Sequence, residues 1–232
     1  DVPKKGLLIF SEKHRPVPLD LKVLSYGNHQ NPYYLDTLLT SKLRSVLEKY
    51  SGSKPSIVFC ASRREAEKTA HVLSAEVSRQ NRKGFLPSLA SARASYLEFL
   101  QKNEVDNESL RSCLKHGIGF HHAALSPRDR RTVEEHFSED GLHIICCTST
   151  LALGVNFPAR LVVVKGTTCY KGGARVEMHT TEICQMIGRA GRAGYDSKGI
   201  GVILTTDDRV GRYTNLFPGS GESNVTGFSN EF

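Results

Sequence analysis

The sequence predicts an α/β protein built on a parallel sheet flanked by helices, and three observations carry that prediction. Residues 57–60, 118–120, 143–147 and 160–164 are short, nearly continuous apolar runs, as expected of strands covered on both faces. Helical patterns separate several of these runs. Polar, hydroxyl-rich turns follow their carboxyl ends, which is where open α/β sheets hold ligands.

Taken in order, residues 6–10 and 21–26 are strand candidates separated by a Pro-broken basic loop at residues 13–18. Leu35, Leu38, Leu39, Leu43, Val46 and Leu47 form an apolar helical stripe closed by Ser51-Gly52. A strand at residues 57–60 leads through Ala61-Ser62-Arg63-Arg64 into a helix over residues 63–79. Residues 81–116 are polar and helical, over 87–100 and 108–114, and are expected to be an insertion between core elements. Ser126-Pro127 caps a helix reaching Phe137. After strands at 143–147 and 160–164, residues 165–176 read as a two-stranded excursion turned at Lys171-Gly172-Gly173 with Tyr170 near its tip. A helix containing Ile183, Met186 and Ile187 precedes a last strand at 199–204, and the chain then becomes Gly-, Ser- and Asn-rich. The expected organisation is lead-in strands over 1–30, one domain over 31–212, and a linker or tail over 213–232. A start at Asp1 without Met suits a piece of a longer chain.

Composition narrows the function. An apolar content of 39% over 232 residues can build one core. The 31 Lys and Arg against 24 Asp and Glu give +7, which favours an anionic partner, nucleic acid being the commonest. The 6 cysteines lack Cys-x-x-Cys spacing, so neither a zinc ribbon nor a disulfide framework is signalled, and reduced thiols of a nuclear or cytosolic protein are the simplest account. No apolar run approaches the roughly 20 residues that span a bilayer.

The segment that organises the chain is residues 185–194, Gln-Met-Ile-Gly-Arg-Ala-Gly-Arg-Ala-Gly. If its helix continues, Gln185, Arg189 and Arg192 share one face at i, i+4 and i+7, and Gly188 and Gly191 let a ligand approach closely. Two forked cations beside an amide suit phosphoryl oxygens, although an Arg pair also ends many solvated helices. Ser62 and Arg63, with the free N–H groups of a helix start, make a phosphate seat or simply a solvated turn. Thr148, Ser149 and Thr150 follow a strand and can donate to a backbone without reading sequence, or can cap a helix. His121-His122 has no further ligands at metal spacing, so a zinc site is not expected. No Gly-x-x-x-x-Gly-Lys-Ser/Thr and no Asp-Glu-x-His or Asp-Glu-Ala-Asp occurs, so phosphate-loop and magnesium ligands would have to lie elsewhere.

Val58 to Arg63, His121-His122-Ala123 with Arg130 nine residues after His121, residues 148–159, and residues 185–192 stand in the order of motifs four, four-a, five and six of superfamily-two helicases. Over roughly residues 15–212 the chain resembles the second RecA-like domain of the Ski-like group. It is similar above all to the MER-type meiotic crossover helicases in Thr-Ser-Thr-Leu-Ala-x-Gly-Val-Asn-x-Pro-Ala and the following Val-Val-x-Lys-x-Thr. The resemblance implies a RecA-like parallel sheet of P-loop NTPase type without its own P-loop. It implies a nuclear, ATP-dependent DNA helicase, 3′–5′, acting in meiotic recombination, with an RNA helicase or a non-catalytic binding module as alternatives. Magnesium-bound ATP would lie against an absent first RecA-like domain. Gln185, Arg189 and Arg192 would be catalytic. Gly154 and Asn156 would join them at the nucleotide, and Ser62, Arg63, Arg130, Thr148, Ser149, Thr150 and Tyr170 would bind nucleic acid. Ala124 departs from the group's His-His-Ala-Gly, and a left-handed φ there would cost about 1 kcal/mol.

Overall fold

The computed structural model of the chain describes residues 15–79, 93–151, 157–214 and 216. The strands are β1 (Leu19–Ser25), β2 (Ser56–Cys60), β3 (Ile118–His121), β4 (Ile144–Cys147), β5 (Leu161–Lys165), β6 (Thr168–Lys171), β7 (Ala174–Glu177) and β8 (Gly199–Thr205). The helices are α1 (Pro32–Tyr50), α2 (Arg63–Arg79), α3 (Arg93–Lys102), α4 (Glu108–Leu114), α5 (Pro127–Ser138), α6 (Thr180–Ile187) and α7 (Val210–Thr214). A six-stranded sheet runs in the order β1-β8-β5-β2-β4-β3 with every neighbour parallel, while β6 and β7 form a separate antiparallel hairpin.

The central strands are buried at every residue, β2 as Ser-Ile-Val-Phe-Cys and β5 as Leu-Val-Val-Val-Lys, because both sheet faces are covered. Local chemistry fixes the helix starts. The Asn31 side chain accepts from the Tyr33 and Tyr34 amides with Pro32 in the first turn of α1, and Ser126 Oγ accepts from Asp129 N ahead of Pro127 in α5. Leu35, Leu39, Leu43, Val46 and Leu47 turn the apolar stripe of α1 into the core.

Two expectations change. Strand β1 is an edge of the main sheet, registered residue for residue on β8, so residues 19–25 are joined to the domain and are no separate lead-in. The described part of the 81–116 segment is also built into the core. Leu110, Cys113 and Leu114 of α4 are buried, Tyr96 Oη bonds His143 Nδ1 at 2.6 Å, and the Asp129 carboxylate accepts from Asp106 N at 2.9 Å and Asn107 N at 3.1 Å. Its polar surface pattern concealed this docking. The strand expected over residues 6–10 lies outside the described residues.

Candidate functional site

Parallel registry decides which turns meet. Cys60 of β2 aligns with Lys165 of β5, and Phe59 with Cys147 of β4, so the turns leaving these three adjacent strands emerge side by side at the carboxyl edge. There Ser62, Arg63, Thr148, Thr150 and Tyr170, with Ala61 and Ala123, line one open cleft of about 470 Å³. Ser62 Oγ accepts from Glu65 N at 3.2 Å, which leaves its proton for a ligand oxygen. The Thr148 and Thr150 hydroxyls bond each other at 2.9 Å, which still leaves one O–H to donate outward. Arg63 and Arg64 are exposed and form no ion pair among the described residues. This edge presents donors and cations to solvent.

Tyr170 reaches the cleft from the hairpin, whose turn at Gly172 and Gly173 needs φ of +59° and +80°, the left-handed pair that glycine supplies. Arg175 backs the Tyr170 ring at 5.7 Å and donates to Thr168 Oγ1 at 2.6 Å, while Lys171 pairs with Glu182 at 2.7 Å at the start of α6. Beneath the hairpin, the buried Lys165 ammonium is paired with Asp36 of α1 and bonds Thr40 Oγ1 at 3.0 Å. Lys68 holds the second Asp36 oxygen at 2.9 Å. Burial raises the Asp36 carboxyl, but Lys165 and Lys68 outweigh it and hold it below the ordinary value.

Residues 185–192 occupy the opposite edge. Helix α6 ends at Ile187 with Gly188 as its cap, so Gln185, Arg189 and Arg192 do not share one helical face as the spacing suggested. Instead the chain turns onto the start of the sheet. Ala190 bridges Ala159, Ala159 N donates to Arg189 O at 3.0 Å, and Gly191 N donates to Ala159 O at 2.6 Å. Gly191 has φ +94°, and a Cβ there would meet Val17 Cγ1 at 2.7 Å, so its bareness serves this packing and not a ligand's approach. Gln185 is exposed and Arg189 half-buried. Arg192 is 14% exposed, its Nε donating to buried Asp196 at 3.1 Å and its Nη1 pairing with Asp140, which is 55% exposed. Lys54 also holds Asp196, at 2.9 Å. Burial raises the Asp196 carboxyl, while Lys54 and Arg192 bring it net below its ordinary value. At about 3.3 Å per strand residue, a five-residue strand puts roughly 15 Å between this edge and the cleft.

Three contributors carry no sequence signal of their own. Arg15, from the Pro-broken basic loop, donates to Gly188 O at 3.1 Å and to Ala190 O, tying down the turn that bears Arg189. Asp140 and Lys54 reach Arg192 and Asp196 from distant turns; Asp196 alone, four residues after Arg192, could have been suspected from spacing.

The remaining candidates stand apart. Ser149 is exposed on the Thr148 turn but does not line the cleft, and neither does Arg130, whose buried Nε has no hydrogen-bond partner among the described residues. Gly154 and Asn156 lie outside the described residues. His121 and His122 diverge, His121 to Glu134 and His122 to Glu67, each at 2.8 Å. Burial lowers the His121 pKa, against the opposing pull of Glu134. Among the described residues no group of three or more His, Cys, Asp or Glu could hold a metal. Ala124 needs no left-handed backbone, since among the described residues the non-glycine positions with positive φ are Ser53 and Asp140.

Residues 86–194 match the family described as helicase conserved C-terminal domain. The chain is 35% identical over 222 residues to the rice "ATP-dependent DNA helicase MER3 homolog", covering 94% of this chain and 18% of that protein. It is 39% identical over 213 residues to the human "Probable ATP-dependent DNA helicase HFM1", covering 90% and 14%, and 34% identical over 222 residues to "ATP-dependent DNA helicase MER3" of Saccharomyces cerevisiae, covering 93% and 17%. The chain thus spans under a fifth of each of these relatives. With its parallel RecA-like sheet, the chain is similar to the C-terminal helicase domains of superfamily two, and to the MER-type proteins over 90% or more of its length.

Proposed function

We propose that the chain is the C-terminal motor half of an ATP-dependent DNA helicase that travels 3′–5′ along one strand in the nucleus, in meiotic recombination. The observation that carries the reading is the carboxyl-edge cleft, where Ser62, Arg63, Thr148, Thr150 and Tyr170 converge from three segments spread over residues 62–170. Hydroxyl donors and a guanidinium suit phosphodiester oxygens without reading bases, which is what a translocating grip requires. A ring at the hairpin tip suits stacking at the strand junction.

The amino-edge turn supports a second role. Magnesium-bound ATP supplies the phosphoryl group whose transfer drives the motor, with its phosphate loop and metal ligands on a first RecA-like domain of the parent chain. Gln185 is open to solvent, and the Asp140 carboxylate at Arg192 Nη1 is an anion that a phosphoryl oxygen could replace at the same donor, so these groups fit a γ-phosphate. Arg192 would exchange Asp140 for the phosphate while Asp196 keeps the guanidinium oriented, and Arg189 would sit beside it. Gly154 and Asn156 would couple the two edges. The two carboxylates on Arg192 also favour a second reading, in which that guanidinium is purely structural and the domain binds nucleic acid without a catalytic part.

Steady-state ATPase assays of the parent protein with single-stranded DNA separate the readings. Arg192→Ala is expected to abolish DNA-stimulated turnover and retain DNA binding, whereas unchanged turnover would leave only the structural role. The 232 residues by themselves are expected to hydrolyse no ATP.

A further inference from the structure

Beside the grip lies a second concavity of about 360 Å³ that no motif covers, lined by Tyr33, Asp36, Ser62, Arg64, Glu65, Lys68 and Tyr170. Ser62 and Tyr170 belong to both hollows, so a strand leaving the grip past the tyrosine enters this one next. Two rings line it. Tyr33, in the first turn of α1, is 74% exposed, and Tyr170 is 46% exposed. The Asn31 cap fixes the backbone under Tyr33, and Arg175 fixes Tyr170, so little ordering remains when a ligand stacks between them. Large exposed aromatics beside a cationic rim are the pattern of a base-stacking platform.

The charges choose which part of a nucleotide fits. Asp36 and Glu65 line the hollow, and Asp36 is matched by buried Lys165 and by Lys68. Burial and the Asp36 charge together push the Glu65 carboxyl above its ordinary value. Carboxyl groups repel a phosphate yet accept from the ring and exocyclic N–H groups of a base. Arg64, exposed and without an ion pair among the described residues, suits the phosphate that follows.

Building on the helicase reading above, we propose that Tyr33, Tyr170 and Arg64 form a base pocket that takes the unpaired base next to the gripped backbone. Tyr33 stacks on the base face, Glu65 accepts from its edge, and Arg64 holds the adjoining phosphate. The pocket makes the grip hold a base as well as a backbone, so the strand cannot slide freely while the domain moves.

The test uses the parent chain and single-stranded DNA carrying 2-aminopurine walked one position at a time. In the wild type, one position should be strongly quenched by stacking. Tyr33→Ala should release that quenching and weaken binding roughly 5- to 150-fold, as expected for loss of one stacked base, while Tyr33→Phe keeps both. Arg64→Ala should lower the salt slope of binding by about 0.7, whereas Tyr33→Ala leaves it unchanged. Equal affinity and quenching in Tyr33→Ala, with Thr148→Ala still weakening binding, would overturn the base pocket and leave the grip standing. Absence of single-strand binding by the wild type would overturn both. Tyr33 is exposed through its ring, so its replacement leaves the core untouched.

Discussion

The two edges of the sheet are built from the same strands and are prepared in opposite ways. At the carboxyl edge Arg63 and Arg64 carry no ion pair among the described residues, and the hydroxyls of Ser62 and the Thr148–Thr150 pair retain a proton to give. At the amino edge Arg192 meets buried Asp196, Asp140 and the Tyr195 ring at 5.4 Å. An open set of donors accepts many backbone positions in turn, which suits a grip that must release at each step. A guanidinium held by a buried carboxylate has already lost its rotamer freedom, so it suits one ligand in one geometry, the requirement for stabilising transition-state charge. The cost of ordering is met during folding at one edge and during binding at the other.

The largest test of that contrast is Arg192→Ala in the parent chain. Loss of a catalytic guanidinium is expected to lower DNA-stimulated turnover by about 10³ to 10⁵, with the affinity for single strands unchanged. A fall in DNA affinity of the same order would erase the separation of the edges. Asp196→Ala comes next. Removing the buried carboxylate leaves Arg192 with Asp140 alone and Lys54 without its partner, and a destabilisation on the order of 3 kcal/mol is expected from chemical denaturation. Little change would mean that solvent already screens the pair.

How much of this could be read from residues alone differs between the edges too. The strands were legible because doubly covered strands write continuous apolar runs, as in Ile57 to Cys60, and α5 because Ser126-Pro127 announces its start. The grip was legible because each of its turns follows such a strand, and parallel pairing then brings Ser62 and Thr148 together without further information. The amino edge was misread locally. Periodicity continues through Arg192, but Gly188 caps the helix and Ala190 pairs with Ala159, a contact between residues 31 apart that no local pattern encodes. Arg15 and Asp140 are invisible for the same reason: their partners are set by where the chain returns. The docking of α4 was missed because Leu110, Cys113 and Leu114 are too few to stand out in a polar stretch.

A smaller effect separates the edges at the grip. Thr148→Ala removes a donor to a charged oxygen, and a loss of about tenfold in single-strand affinity is expected from titration, with basal ATPase retained. Asp140→Asn works at the other edge. It removes a half-exposed competitor from Arg192, so the KM for ATP should fall about two- to fivefold, the range of an exposed ion pair, while the affinity for DNA stays constant. A rise in KM would instead make Asp140 a support that orients the guanidinium.

The smallest expected effect is on acid stability, and the edges differ in pH window. Near the amino edge burial lowers His136 from 6.5 to about 4, with its ring stacked 3.5 Å from Phe99, and burial lowers His143 beside Tyr96 as well. A histidine with a depressed folded pKa is neutral when folded but takes a proton when unfolded. Its contribution is therefore complete above pH 6.5 and lost as pH falls toward about 4, after which it levels off. Discounted for solvent screening, His136 is expected to remove about 1–2 kcal/mol across that window. At the carboxyl edge Asp36 is held below the ordinary carboxylate value, so the Lys165 pair keeps its contribution through the histidine window and gives it up only at lower pH. Thermal melts of His136→Gln between pH 7 and 4.5 should be flatter than the wild type, while Asp36→Asn should lower the melting temperature equally at both pH values. Parallel profiles for the wild type and His136→Gln would show that the aromatic cluster already admits the proton when folded, and that the acid sensitivity lies elsewhere in the domain.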